Sequence, residues 1–100
     1  MANIKVLRFM NGEELIGNLQ RLDPVENIAE MENIAIVQVV PTSESKMTIG
    51  LLPFAPYADE KAHLFDARHI TTIFTPNQDL INNYNRIFGG IVVPDKKIVV

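Results

Sequence analysis

The sequence has no cysteine, so a disulfide framework and a thiolate metal site are both excluded. This composition fits a reducing compartment, and we expect the protein in the cytoplasm. Long apolar runs are also missing, and none approaches the roughly 20 residues that a membrane-spanning helix needs. The start, Met1 to Met10, lacks the apolar stretch and small-residue cleavage site of a signal peptide. We therefore expect a soluble, unprocessed chain without a membrane partner.

Positive charge is scarce, since 9 Lys and Arg face 12 Asp and Glu, for a net charge of -3 and a pI of about 5.2. Proteins that bind nucleic acid mainly by neutralising phosphates carry the opposite balance, so any such binding needs a local basic surface. Catalytic motifs are lacking too: there is no Gly-rich phosphate loop, no nucleophile elbow and no carboxylate pair placed beside a base. The sequence predicts a binding protein with no enzymatic activity, cofactor or small-molecule substrate.

What the sequence does have is apolar residues, which form 47% of its 100 positions, with a mean hydropathy of +0.09. A chain of this length makes one domain, because two would each be too small for a core. Small proteins have a large surface to cover with polar groups, so this composition is rich. We expect part of the apolar surface to meet another subunit.

Alternating apolar and polar residues predict five strands. Ile4 to Met10 runs into Asn11-Gly12, which favours a type I′ hairpin, and Gly17 in the returning strand marks a bend or a close backbone approach. Ile34 to Val40 is typical of a strand buried on both faces. The remaining strands are predicted at 46–54 and 64–74.

Two segments favour helix. Asp23-Pro24-Val25-Glu26 is compatible with a helical turn or an ordinary turn, and Thr75-Pro76-Asn77-Gln78 has the order of a capping box. The second predicts a helix over 77–90, ending at a Gly89 cap, whose stripe Leu80 to Phe88 packs on the predicted strands or binds a partner. We divide this single domain into a β part over 1–76, the helix, and an apolar tail over 91–100.

Several of these segments match a known family. The strand Ile4 to Met10, the Asn11-Gly12 turn, the glycine-bent strand Leu15 to Leu19, and Asp23 followed four places later by Asn27 resemble the first motif of the Sm-like (LSm) family. Ile70-Thr71-Thr72-Ile73 is similar to the end of its second motif. The resemblance covers about the first three-quarters of the chain.

The chain also departs from the usual Sm-like pattern. Its helix follows the strands instead of preceding them, and Asp66-Ala67 stands where the family has Arg-Gly. In this layout, which includes Leu51-Leu52-Pro53-Phe54, it is more similar to small Sm-like proteins of tailed phages, particularly those of marine cyanobacteria. For a phage-encoded protein the compartment would be the host cytoplasm.

The resemblance implies a mainly β fold, namely a bent five-stranded antiparallel open barrel of the Sm-like or SH3-like kind with a C-terminal α-helix. It implies a homo-oligomeric ring, pentamer to heptamer, that binds single-stranded RNA at the pore through the loops that hold Asp23, Asn27, Arg68 and His69. Asn and His suit base contacts and Arg suits phosphate, but Asp and Asn are also ordinary turn residues and Asp66 can pair with Arg68 or Lys61. A scaffolding ring without nucleic acid is the alternative.

A metal site is not expected. His63, Asp66 and His69 lie within seven positions, but on a continuous strand Asp66 would face away from both histidines.

Overall fold

The computed structural model describes residues 3–42 and 46–89. Here one antiparallel sheet contains β1 (Ile4–Phe9), β2 (Glu14–Asp23), β3 (Ile28–Pro41), β4 (Met47–Pro53), β5 (Ala62–Asp66) and β6 (Ile70–Phe74). A 3-10 turn, Ala67–His69, separates β5 from β6, and helix α1 (Gln78–Tyr84) continues as one π-helical turn, Asn85–Gly89. The expected mainly β fold with a C-terminal helix is confirmed, whereas the tail over 91–100 lies outside the described residues.

Strand β3 is the centre of the sheet, whose order is β4-β3-β2-β1-β6. One edge of β3 pairs with β2 along most of its length. Its other edge is shared, because β5 pairs with Ile28–Glu32 and β4 pairs with Ala35–Pro41. Within residues 3–42 and 46–89, no strand pairs with the outer edges of β4, β5 or β6, so the sheet is open.

The described residues contain six strands where the sequence predicts five, because the predicted strand over 64–74 is interrupted. The Asp66 side chain accepts a hydrogen bond from the Arg68 backbone N–H at 3.0 Å, and this contact caps the 3-10 turn. The Ile70 N–H then bonds back to the Ala67 carbonyl. Asp66 thus competes locally with the sheet ladder, as short acidic side chains commonly do.

The hairpin between β1 and β2 is confirmed, but its turn is not type I′. The Gly12 N–H donates to the Phe9 carbonyl at 2.9 Å and the Phe9 N–H to the Glu13 carbonyl at 2.8 Å. Gly12 has a φ of +90°, whereas Asn11 is not among the residues with positive φ. This is a type I turn followed by a glycine bulge, the usual form of a three-residue hairpin loop.

The sheet bends where Gly17 on β2 faces an irregularity of β3. Pairing passes from Ile16 with Ala35 to Asn18 with Glu32, so β3 carries an extra residue at this point. Asn33 takes up that residue with a left-handed φ of 53°. The bend also lies where β3 changes partner from β5 to β4, and the predicted close approach at Gly17 is confirmed.

Apolar side chains fill both faces of the sheet. The helix-side core lies under α1 and the far-side core on the opposite face. The buried members of the helix-side core are Val6, Ile16, Ala35, Leu80 and Tyr84, and those of the far-side core are Leu7, Leu15, Ala29, Met31 and Ile34.

The N-cap of helix α1 lies two residues later than Thr75, the cap that the capping-box order predicts. Its N-cap is Asn77, whose side-chain oxygen accepts the Leu80 N–H at 2.9 Å, while Thr75 instead accepts a hydrogen bond from Lys5 Nζ at 2.6 Å. Leu80 and Tyr84 are buried against the sheet, so the apolar stripe packs on the chain's own sheet, which was one of the two alternatives expected for it. Ile87 stays 43% exposed.

Only the first part of the 34–40 segment is buried. Ile34 and Ala35 are covered on both sides, but Val39 is 54% and Val40 42% exposed. The prediction of a fully buried strand is therefore wrong for its second half. The reason is that β2 stops pairing at Val37, so β3 continues past it with β4 alone.

Candidate functional site

Two loops that are distant in sequence meet at one end of the sheet. The Ala67 N–H in the 3-10 turn donates to the Asn27 carbonyl at 2.9 Å, and Ile28 pairs with Asp66 beside it. The β2–β3 turn and the 3-10 turn therefore form one surface. All four residues expected from the sequence to contact RNA lie in or beside these two loops.

Asp23 has a structural role in its turn. Its Oδ1 accepts the backbone N–H groups of Val25 at 3.0 Å and Glu26 at 3.1 Å, and its other oxygen lies 3.7 Å from an Arg21 nitrogen. Short acidic side chains close turns in this way. The segment is thus a hydrogen-bonded turn and not the helical turn that the sequence also allowed, and Asp23 has its oxygens occupied.

Asn27 has a backbone role and a side chain with spare hydrogen-bonding capacity. Its φ of 58° is left-handed, a conformation that Asn tolerates better than most residues. Its carbonyl holds Ala67, whereas its side-chain amide has no hydrogen-bond partner within the described residues. That amide remains able to bind a ligand.

Arg68 and Asp66 form the strongest ion pair of the two loops. Arg68 Nε and Nη2 donate to the Asp66 carboxylate at 3.0 and 2.8 Å. The hydrogen bonds from the Arg68 side chain and backbone lower the pKa of Asp66 to about 2, and the same contact raises the pKa of Arg68. The expected pairing of Asp66 with Arg68 is confirmed, so the guanidinium charge is partly neutralised before any ligand arrives.

The histidines do not form a metal centre. Asp66 Oδ2 lies 4.0 Å from His69 Nε2, so these two groups come together, contrary to the expectation from strand alternation, because residues 67–69 form a turn. His63 instead makes an edge-on contact with Phe54 at 5.5 Å. Across residues 3–42 and 46–89, no group of three His, Asp or Glu side chains is placed to hold a metal ion.

A second feature, not predicted from the sequence, is an aromatic cleft between the β1–β2 turn and the 3-10 turn. Its floor is Phe9, Leu15, Phe54 and Phe65, and the cavity measures about 510 Å³. The ring centroid of Phe65 lies 5.6 Å from that of Phe9 and 5.7 Å from that of Phe54. Phe9 lies more than 40 residues from Phe54 and Phe65 in sequence, so no local pattern could have indicated the cleft.

The unpaired strand edges are the third feature. Leu64 on β5 is 61% exposed and Phe74 on β6 is 39% exposed. A groove of about 410 Å³ runs beside β6, with Leu22, Asn27 and Thr71 among its lining residues. Edges that carry apolar side chains and free backbone groups favour pairing with another chain.

Comparison with known proteins adds no relative: no family model matches the chain, and a search of curated proteins finds no match. No helix in the described part of the chain has the length and apolar character that crossing a bilayer requires. The function is therefore inferred from the residues themselves.

Proposed function

We propose that this chain is a non-enzymatic, Sm-like subunit whose copies pair through their strand edges into a closed homo-oligomeric ring. The observation that carries the proposal is that β6 ends one side of the sheet, β4 and β5 end the other, and these edges are open in the described chain. One copy can therefore offer an edge to each of two neighbours. Head-to-tail contacts of this kind give a ring when the rotation between copies closes.

Burial on the outside of the fold supports the same proposal. Leu64 projects from an edge strand with 61% of its surface exposed, while its neighbour Phe65 packs into the far-side core. Monomeric proteins usually protect such edges with charged residues, proline or a covering loop. None of the five residues of β6, Ile70–Phe74, is charged or a proline, so the side chains of this strand do not provide that protection.

The test is the mass in solution of the full chain, measured by light scattering over a dilution series. We expect a mass several times the 11.2 kDa of one copy. Leu64→Lys places a charge on the β5 edge and should raise the dissociation constant of the assembly by about tenfold or more.

Val25→Lys is the matched control, because Val25 is 83% exposed but lies in the β2–β3 turn and not on an edge strand. This variant should assemble like the parent. A parent protein that stays monomeric at high concentration, or two lysine variants that assemble equally well, would contradict the proposal.

RNA binding by the ring is a second candidate, favoured by the contact between the two loops. The free amide of Asn27 lies on the same surface as Arg68 and His69, whose side chains are 69% and 67% exposed. A planar exposed ring suits base stacking, and a ring of copies repeats each weak contact. The acidic net charge and the Asp66–Arg68 pair weaken this candidate relative to a scaffolding ring without nucleic acid.

We expect RNA binding, if this surface carries it, to weaken with salt when short uridine-rich and adenosine-rich strands are titrated. Asn27→Gly is the informative variant, because glycine accepts the left-handed φ of 58° and removes only the amide. Because every subunit of the ring carries the substitution, the affinity for RNA should fall about tenfold.

Asn82→Ala on α1 is the control for this experiment and should bind like the parent. If neither RNA binds even at low salt, the scaffolding alternative stands and RNA binding is excluded. If Asn27→Gly binds as tightly as the parent, Asn27 is not part of the site.

A further inference from the structure

The aromatic cleft has a composition unlike the rest of the surface. Two of its nine lining residues, Glu13 and Asp66, are acids, and none is Lys or Arg. The cavity of about 510 Å³ falls in the range of small-ligand sites, which are mostly apolar with a few placed polar groups. Its chemistry is therefore an aromatic floor under an acidic rim.

Both sides of the rim are held in place by backbone hydrogen bonds. On one side, Asn11 Oδ1 accepts the Glu13 N–H at 2.9 Å, and the Glu13 carbonyl accepts the Phe9 N–H at 2.8 Å. On the other side, the His69 carbonyl accepts the Met10 N–H at 2.8 Å, which joins the 3-10 turn to the hairpin. The cleft is thus preformed, which lowers the entropic cost of binding.

The charge at the rim comes mainly from Glu13. The Asp66 carboxylate is paired with Arg68, whereas the Glu13 carboxylate has no ion pair or hydrogen bond within the described residues. The faces of phenylalanine rings also attract cations, most strongly Arg and Lys. An acid and aromatic rings that converge on one cavity favour an occupant that is both cationic and apolar.

We propose that this cleft binds a peptide segment in which a lysine or arginine adjoins an apolar side chain. The apolar side chain lies on Phe9, Phe54 and Phe65, and the cation contacts Glu13. Asn27, Leu64 and the residues of β6 are not among the lining residues of the cleft, whereas His69 is, so the cleft adjoins the loop surface of Asn27 without including Asn27 itself. Exposed Met10, at 71%, adds an adaptable apolar contact at the mouth.

The chain carries such a sequence itself, Lys96-Lys97-Ile98-Val99-Val100, which supplies the probe. A labelled, blocked peptide of these five residues is titrated with the full-length protein, and binding is followed by fluorescence anisotropy. We expect saturation below roughly millimolar protein, as weak peptide sites show. A peptide with both lysines replaced by glutamate, and one with the three apolar residues replaced by serine, should bind at least about tenfold more weakly.

Two protein variants locate the site. Glu13→Gln should weaken binding about threefold, as the loss of one exposed charge contact does, and the loss should shrink at high salt. Glu26→Gln removes the same charge from the β2–β3 turn and should bind like the parent. Both side chains are exposed, so both variants should keep the parent's circular dichroism spectrum and melting temperature.

The chain's own copy of this sequence can compete with the peptide, so a full-length variant with Lys96→Glu and Lys97→Glu is titrated as well, and the absence of peptide binding to both proteins overturns the proposal. Equal affinity for the lysine and glutamate peptides, or equal weakening by Glu13→Gln and Glu26→Gln, also overturns it. RNA that competes with the peptide for the cleft would assign the cleft to nucleic acid and would overturn the proposal as well.

Discussion

Raising the pH from about 10 to 12 is expected to lower the free energy of unfolding by about 2 kcal/mol through Tyr84 alone. Tyr84 is 3% exposed, and burial, followed by the charge of Glu32, raises its pKa to about 12. The unfolded chain titrates near 10, so only the folded state keeps the phenol proton between these values. The stabilisation is complete below about pH 10 and is lost as the pH rises through 12.

The Tyr84 hydroxyl also connects α1 to β3 at the position where the sheet bends. Tyr84 Oη donates to the Asn33 carbonyl at 2.6 Å, and its ring packs 4.8 Å from that of Phe88. Ionisation would replace this donor with a buried charge, which is why the proton is held so firmly. The packing of α1 on the sheet and the stability of the fold at high pH therefore both depend on the protonated Tyr84 hydroxyl.

The Tyr84→Phe variant separates the stability that comes from the Tyr84 hydrogen bond at pH 7 from the stability that is lost when Tyr84 ionises. The variant keeps the ring packing, so at pH 7 it should lose about 1 to 3 kcal/mol for the hydrogen bond, measured by urea unfolding. Between pH 10 and 12 its stability should fall much less than that of the parent. Tyr57→Phe, at a side chain 88% exposed, is the control and should keep the parent's alkaline loss. An unchanged loss in Tyr84→Phe would show that other groups cause it.

The second large effect is expected at Gly17, where Gly17→Ala should lower the free energy of unfolding by about 1 to 3 kcal/mol. A Cβ at this position would lie 3.0 Å from Met31 Cε and 3.1 Å from the Glu32 carbonyl oxygen. Met31 is 0% exposed and has little room to move, and the carbonyl belongs to the paired backbone of β3. The Met31 side chain and the backbone of β3 would have to move by a few tenths of an ångström to accept the new methyl group.

Gly50→Ala is the matched control, since Gly50 also lies in a strand but a Cβ there meets nothing within 4 Å. This change should leave stability unchanged or raise it slightly by restricting the unfolded chain. The midpoints of urea unfolding for both variants provide the comparison. A Gly17→Ala protein as stable as Gly50→Ala would mean that β2 and β3 are not in close contact at the bend.

Local sequence chemistry predicted the local features of the fold. Asn11-Gly12 marked the first hairpin, Gly17 marked the bend, and the stripe with Leu80 and Tyr84 marked the helix. Each prediction depends on residues that interact with near neighbours, so a short window contains the information. The predicted turn type and the predicted N-cap residue are both wrong. The Asn11 side chain accepts the Glu13 N–H, and the Thr75 hydroxyl accepts a hydrogen bond from Lys5 instead of capping the helix.

Features set by distant contacts were not predictable from local pattern. The apolar composition of 34–40 suggests burial, but burial depends on where the pairing with β2 ends, and that pairing ends where Val37 faces Glu14, a residue 23 positions earlier in the chain. The interruption of the strand predicted over 64–74 depends on the side chain of Asp66 bonding to Arg68. The aromatic cleft is assembled by strands from three parts of the sequence.

The candidate site shows the same division. The prediction that Asp23 and Asn27 sit in a turn needed only their residue types, and the structure places both there. That the Asn27 loop touches the 3-10 turn follows from the pairing of β3 with β5. Whether the surface binds RNA depends on the electrostatic potential at the two loops, which the sequence resemblance does not determine. RNA binding therefore stays a prediction.

The arrangement of β6 also bears on how quickly the chain folds. Val6 pairs with Phe74, so β1 is completed only by β6, after the four strands between them have been synthesised. Contacts of such long sequence separation demand a large loss of chain entropy before they stabilise anything, and proteins rich in them fold in milliseconds to seconds. During that interval the edge of β1 that pairs with β6 has unpaired backbone groups. A nascent copy would then be open to binding by a chaperone or by another incompletely folded chain.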